Sequence, residues 1–232
     1  MKQYEKAVVI LSGGLDSTTC LGVAVQEGEE VYALTFDYGQ RHRIEIESAK
    51  KVAEYYRVKE HQIATLPFLR AIGGSALTDK EIAVPHSGVI ANEIPVTYVP
   101  GRNLIFLSIA TAYAEVVGAN AIYLGVNALD YSGYPDCRPA FIESFARTAT
   151  LATKAGAMGA TLQIKTPLLY LSKAEIVTLG TKLGVPYELT SSCYEGGSVA
   201  CGVCDSCRLR RKGFAEAGLT DPIAYSERID VV

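Results

Sequence analysis

Six consecutive residues near the start of the chain, Ser12-Gly13-Gly14-Leu15-Asp16-Ser17, combine small, hydroxyl-bearing and acidic side chains in an order that suits an anionic ligand. The two glycines let the backbone turn sharply and approach a ligand closely, because no Cβ stands in the way. Ser12, Ser17 and Thr18 add hydroxyl donors. A helix is expected from Leu15 onward, and the free N–H groups and dipole at its start favour negative charge. Asp16 would repel a phosphate directly, so its sensible role is to hold Mg²⁺ against the phosphates. The segment is neither a Walker A loop, which needs a Lys after the second glycine, nor a dinucleotide fingerprint, which needs three spaced glycines. A plain turn with Ser and Asp as helix caps would account for Ser12-Gly13-Gly14 alone. It accounts poorly for all six residues between an apolar run and a helix.

Sulfur is the second chemical signal. Of six cysteines, Cys193, Cys201, Cys204 and Cys207 crowd together near the C-terminus, the last three as C-x₂-C-x₂-C. Gly196, Gly197 and Gly202 allow the chain to fold around an ion. Four thiolates complete a tetrahedral zinc site with no open position, so the expected role is structural. An iron–sulfur cluster is the rival, because this spacing also occurs in cluster proteins. Cys20 falls on the apolar face of a helix and reads as core. Cys137 stands alone in a polar segment, where a catalytic thiol is the alternative to a structural one.

Three polar loops carry further groups. Phe36-Asp37-Tyr38-Gly39-Gln40-Arg41-His42 follows the second expected strand, where a base or ribose would lie. Val99-Pro100-Gly101-Arg102-Asn103 opens a strong helix, so Arg102 and the free N–H groups beside it make a second anion site. Ser132-Gly133-Tyr134-Pro135-Asp136-Cys137-Arg138 follows the fourth strand and brings aromatic, acidic and basic groups to the same rim. Each loop alone also reads as a set of helix caps. His61 lies in a strand and reads as structural, whereas His42, between Arg41 and Arg43, either packs or adds positive potential near phosphates. No paired-carboxylate or Ser–His–Asp arrangement is readable.

These groups need elements to position them. Lys6 to Leu11 is a short apolar run of the kind buried in a parallel sheet. A helix over 15–27 ends at Gly28, and a strand over 31–36, a helix over 44–56 and a strand over 60–64 follow. Residues 66–99, broken by Gly73, Gly74, Pro85, Gly88 and Pro95, lack periodicity, and a stretch this long is often functional. Order resumes with a helix over 102–117, a strand over 121–126, a helix over 138–153 and a strand over 161–165. The last helix of this series, over 172–183, opens on the capping box Ser172/Glu175. The alternation predicts an α/β fold, a doubly wound, mostly parallel five-stranded sheet with ligands at the C-terminal strand ends. The expected division is a nucleotide-binding domain over 1–188 and a small zinc-binding subdomain over 189–232, with a short helix over 208–217.

Composition agrees with this. The chain has 232 residues, 49% apolar and 20% charged, as an ordinary globular protein does. A net charge of −3 offers no general attraction for nucleic acid. Met1 to Lys6 is polar and Ala7 to Leu11 is far too short for a signal segment or membrane span, so no membrane partner is expected. Clustered thiols without an export signal point to the cytoplasm.

The segment SGGLDS resembles the PP-loop of the N-type ATP pyrophosphatases, which have an adenine nucleotide alpha hydrolase-like fold and split ATP between the α- and β-phosphates. With FDYGQRH, VPGRN, SGYPDCR and the four cysteines, the chain from Ala7 to Arg210 is similar to the 7-cyano-7-deazaguanine synthase family of queuosine biosynthesis. That resemblance implies ATP as co-substrate with Mg²⁺, ammonia and 7-carboxy-7-deazaguanine as the other substrates, and structural Zn²⁺. It implies nucleotide binding by Leu11, Ser12, Gly13, Gly14, Leu15, Asp16, Ser17 and Thr18, with Asp16, Ser17 and Arg102 catalytic. Tyr134, Asp136 and Arg138 are the choice for the deazaguanine: a carboxylate can accept from a guanine-like N1–H and exocyclic amine, and an arginine suits the acid. The nearest rival is a PP-loop tRNA-thiolating enzyme, which would want a catalytic cysteine pair and an RNA-binding extension. A homodimer is expected from the enzyme class, although no residue marks it.

Overall fold

A computed structural model describes residues 5–86, 93–129 and 134–226. Apolar side chains on both faces of β1 (Lys6–Ile10) make it the centre of the sheet, because only a strand covered on both sides can bury them all. Val8 and Ile10 turn to one core cluster, while Ala7, Val9 and Leu11 turn to the other. The chain then runs through α1 (Leu15–Gln26), β2 (Glu30–Asp37), α2 (Ile44–Tyr55), β3 (Glu60–Thr65), α3 (Pro67–Ala71) and α4 (Arg102–Val117). It continues as β4 (Ala121–Leu124), α5 (Pro139–Ala152), α6 (Lys154–Ala157), β5 (Gln163–Lys165), α7 (Lys173–Lys182) and α8 (Asp205–Glu216). The strand order is β3-β2-β1-β4-β5, and all four pairings are parallel. The expected doubly wound α/β sheet is therefore present, wholly rather than mostly parallel.

Helices cover both faces. Phe106, Leu107 and Ala110 of α4 and Ile142 and Phe145 of α5 pack on the side of Val8. Leu21 of α1, Val52 of α2, Ile176 of α7 and Phe214 of α8 pack on the side of Val9. The order reverses between β1 and β4, so their C-terminal ends part there and leave a crevice.

Several boundaries differ from expectation for local reasons. β4 stops at Leu124 because Gly125 turns against the first turn of α1. The helix over 138–153 forms as α5 and ends at Thr153, whose backbone is extended and whose side chain accepts from the Gly156 N–H to start a further short helix, α6, that no pattern announced. α8 begins at Asp205, three residues before the expected start, and so includes Cys207. The unpatterned stretch holds α3, with Pro67 in its first turn. The capping box of α7 forms as read, with Ser172 Oγ accepting from the Glu175 N–H and Glu175 accepting from the Ser172 N–H.

Gly180 shows which force governs the packing of α7. Alanine in a helix interior is favoured over glycine by about 1 kcal/mol. A Cβ here, however, would stand 1.9 Å from Tyr187 Oη and 2.7 Å from Cζ. That ring is tied to the Ile176 carbonyl and to Thr19 Oγ1, and it lies edge-on to Phe214. Overpacking at a fixed neighbour costs roughly 1–3 kcal/mol. Gly180→Ala is expected to destabilise the protein, read as a lower midpoint of urea unfolding with an unchanged slope.

Candidate nucleotide and metal sites

The crevice between β1 and β4 is a cavity floored by the strand ends Leu11, Phe36 and Leu124 and walled by the first turn of α1. Of the expected nucleotide set, Leu11, Ser12, Gly14, Leu15, Asp16 and Ser17 line it. Gly13 and Thr18 are not on its wall. Gly13 has φ +87°, and a Cβ on it would lie 2.2 Å from the Glu45 carbonyl and 2.5 Å from the Ala49 nitrogen. Its left-handed backbone and its close packing on α2 both call for glycine. Thr18 is fully buried behind the loop.

The two serine hydroxyls shape the loop itself. Ser12 Oγ and Ser17 Oγ are 2.9 Å apart; Ser17 Oγ accepts from the Ser12 N–H, and Ser12 Oγ accepts from the Gly14 N–H. Asp16 presents both oxygens to Lys173 Nζ at 2.8 Å. Lys173 is buried and packs its stem where Gly213 leaves room. It is a site residue without a sequence signal, since it follows the cap of α7 and lies 157 positions from its partner. Lys173 is not itself on the wall, whereas Gly125, Asn127, Glu45, Ser191, Ser192 and Tyr194 are wall residues that no motif announced.

Tyr38, Arg102 and Tyr134 also line the cavity. Arg102 Nη1 donates to Tyr38 Oη at 3.4 Å. Burial pushes the Tyr38 phenol up to about 12, against the pull of Arg102, and burial likewise raises Tyr134. Both stay neutral hydrogen-bonding groups around a fixed cation. Phe36 stacks on Phe106 at 3.9 Å, which makes that part of the wall flat and apolar. Within the 36–42 loop, Gln40 is spent internally, accepting from the Tyr38 N–H and donating to the Phe36 carbonyl. Arg41 donates to the carbonyls of Asp79 and Ile82, and Arg43 pairs with Asp37. Of the expected basic trio 41–43, His42 alone lines the cavity, 3.3 Å from Glu45. His61 is half-buried against Thr35, and its pKa is lowered by burial.

At the expected second anion site, the start of α4, the chain itself already takes one of the N–H groups. Asp136 Oδ2 accepts from the Asn103 N–H at 2.9 Å, and Asn103 Nδ2 donates back to the Asp136 carbonyl. A helix N-terminus attracts a carboxylate, and the nearest one is intramolecular. Asp136 is therefore buried beneath the cavity wall, turned to α4. Arg138 is exposed as the N-cap of α5 and is not on the wall. Tyr134 is on it, with its hydroxyl 2.7 Å from Thr97 Oγ1. Ser132 and Gly133 of this loop lie outside the described residues.

Cys193, Cys201, Cys204 and Cys207 offer four sulfurs within 4.8 Å of one another, with Cys201 and Cys207 3.9 Å apart. Backbone N–H groups of Cys201, Val203 and Cys204 already point at the sulfurs. Cys204 is the N-cap of α8 and Cys207 sits in its first turn. A single metal ion fits this set.

Cys137 lies on the cavity wall with Asn103 Nδ2 3.3 Å from its sulfur. Burial, reinforced by Asp136, pushes its thiol up to about 12 from 9.0. Since the thiolate is the nucleophile, alkylation by iodoacetamide at pH 8 should be roughly a thousandfold slower in the folded protein than in urea. Mass spectrometry of the peptide carrying Cys137 measures the two rates, and equal rates would contradict the burial argument.

The family model described as "Queuosine biosynthesis protein QueC" matches residues 6–218. The "7-cyano-7-deazaguanine synthase" of Oceanobacillus iheyensis is 60% identical over 221 residues, 95% of this chain and 98% of that protein. The enzyme of the same name from Acetivibrio thermocellus is 60% identical over 223 residues, covering 96% and 99%. Among solved structures, a 4-thiouridine synthetase–RNA complex with bound ATP superposes with a TM-score of 0.51 at 19% identity, over 95% of this chain and 47% of that one, a likeness of fold alone. With its sheet order, phosphate loop and cysteine cluster in place, the chain belongs to the QueC family of queuosine biosynthesis proteins.

Proposed function

We propose that the protein makes 7-cyano-7-deazaguanine from 7-carboxy-7-deazaguanine and ammonia, spending two ATP molecules, each split to AMP and pyrophosphate. The observation that carries this is the shared cavity. The N-terminus of α1 lines it together with Tyr38, Arg102 and Tyr134. An anion at the helix start and an acid near Arg102 would be held in one space.

In the first cycle a substrate carboxylate oxygen attacks the α-phosphorus and pyrophosphate leaves. Ammonia then attacks the acyl carbon; AMP departs with the bonding pair and the nitrogen loses a proton, leaving the amide. In the second cycle the amide oxygen attacks a second α-phosphorus. The nitrogen gives up both protons as the C–O bond breaks, AMP leaves and the nitrile forms. The loop holds pyrophosphate by the first-turn N–H groups of α1, and Lys173 keeps Asp16 in place. Asp16, 21% exposed at its side chain, retains lone pairs for Mg²⁺ carried with ATP, which would neutralise phosphate charge. Ser17 acts by holding the loop's shape. Arg102, in the wall, is better placed than exposed Arg138 to meet the substrate acid. Tyr134 contacts the deazaguanine, and Asp136 supports it through Asn103.

Zinc is the metal that suits the cysteine cluster. A tetrahedron with bonds of about 2.3 Å has sulfurs roughly 3.8 Å apart, whereas a multi-iron cluster would splay them further. The cysteines would fasten residues 189–232 as a subdomain around the ion. Clustered thiols suit the reducing cytoplasm, and the working assembly is a homodimer, on enzyme class alone. A sulfur-transfer reading fares worse, because the wall thiol Cys137 is held neutral.

Incubation with ATP, Mg²⁺, ammonium and the carboxylic acid should release two AMP per nitrile, followed by liquid chromatography and mass spectrometry. ADP in place of AMP would sink the mechanism. The purified protein should carry one zinc per chain by plasma mass spectrometry, and Cys201→Ser should lose most of it; full zinc retention would move the metal elsewhere.

A further inference from the structure

The phosphate loop has a second wall outside its motif. Ser191 and Ser192 line the same cavity as Ser12 and Asp16. The Ser191 N–H donates to the Gly13 carbonyl at 3.0 Å, and the Leu15 N–H donates to Ser192 Oγ at 3.3 Å. Leu15 is the first residue of α1, whose N-cap Gly14 supplies no side chain. Ser192 thus caps α1 across 177 positions of sequence. First-turn N–H groups are the donors on which a phosphate would rest. Having accepted from Leu15, the Ser192 hydroxyl keeps its own proton to give to that anion.

The pair is fastened from both sides. On the N-terminal side, Arg210 Nη1 donates to Thr190 Oγ1 at 2.6 Å and Nη2 to the Tyr187 carbonyl at 3.1 Å. Arg210 is 2% exposed, and Asp221 neutralises it through bonds of 2.8 and 2.9 Å. On the C-terminal side, Cys193 follows Ser192 directly and belongs to the metal cluster. Cys207 and Arg210 lie on the same helix, α8, so one rigid element governs both fastenings.

We infer that Ser192 is a phosphate-binding residue for the nucleotide, set in place by the cysteine cluster and Arg210. The metal site then acts on ATP binding without touching ATP. This inference rests on the pyrophosphate cradle proposed above. Its test is calorimetric binding of α,β-methylene-ATP to the zinc-loaded wild type, Ser192→Ala and Ser192→Thr. Threonine keeps the hydroxyl and should bind like wild type. Alanine should bind about tenfold more weakly, as expected when a hydrogen bond to a charged group is lost. In steady state its KM for ATP should rise by the same factor, with KM for the acid and for ammonium unchanged. Equal affinity of wild type and S192A overturns the inference alone. A wild type that binds no analogue sinks the cradle and this inference with it. For the positioning half, chelation of zinc should speed amide exchange in residues 12–17 before it does so in β2. Exchange rising everywhere at once, or not in the loop, overturns that half.

Discussion

The first turn of α1 lies so close to its neighbours that one flanking position admits no side chain and another leaves scarcely room for one. A Cβ on Gly13 would meet the backbone of α2 at 2.2 Å, and one on Gly125 would meet the Ser17 nitrogen at 3.0 Å. Backbone atoms cannot step aside as a flexible side chain can, so α1, α2 and the end of β4 form one tightly spaced unit. The orientation of the cavity depends on this spacing. It holds the N-terminus of α1 at the point where β1 and β4 part.

Charge is distributed around that unit so that the cavity remains suited to anions. Asp16 is matched by Lys173, and Asp136 is absorbed by the start of α4. Arg102 keeps its charge: burial works against it, but Tyr38, Tyr134 and Asp136 raise its pKa above the ordinary value. Tyr38 and Cys137, both held neutral to about 12, add no negative charge to the wall. A space lined this way favours adenylation chemistry, in which positioning and charge neutralisation do most of the work.

Much of the fold was legible beforehand. A strand buried on both faces leaves a continuous apolar run, and an amphipathic helix leaves a periodic one, so β1, α1, α2 and α4 fall within about a residue of where their patterns place them. Ends set by tertiary contact were less legible. Gly125 shortens β4 through its approach to α1, and the Thr153 cap adds the short helix α6 beyond the end of α5. Among candidate site residues, those contiguous in a motif were readable: Ser12, Gly14, Asp16, Tyr134 and the four cysteines. Lys173, Gly125, Ser191 and Ser192 were not, because each acts on a partner far along the chain.

By themselves, the residues determined which classes of chemistry were candidates: a strand–loop–helix suited to an anion, four thiols that could hold a metal ion, and a parallel α/β sheet. Such signals are local, since a turn, a cap or a C-x₂-C spacing is set by neighbours in sequence. Tertiary structure alone decided which groups share a cavity and which way they face. It turned Asp136 to a helix start, left Arg138 exposed, and gave Asp16 a lysine partner. It also laid Ser192 against the Gly13-Gly14 loop beside a member of the cysteine cluster. A side chain goes to whichever partner satisfies it best in three dimensions, and that choice is made only once the elements have packed.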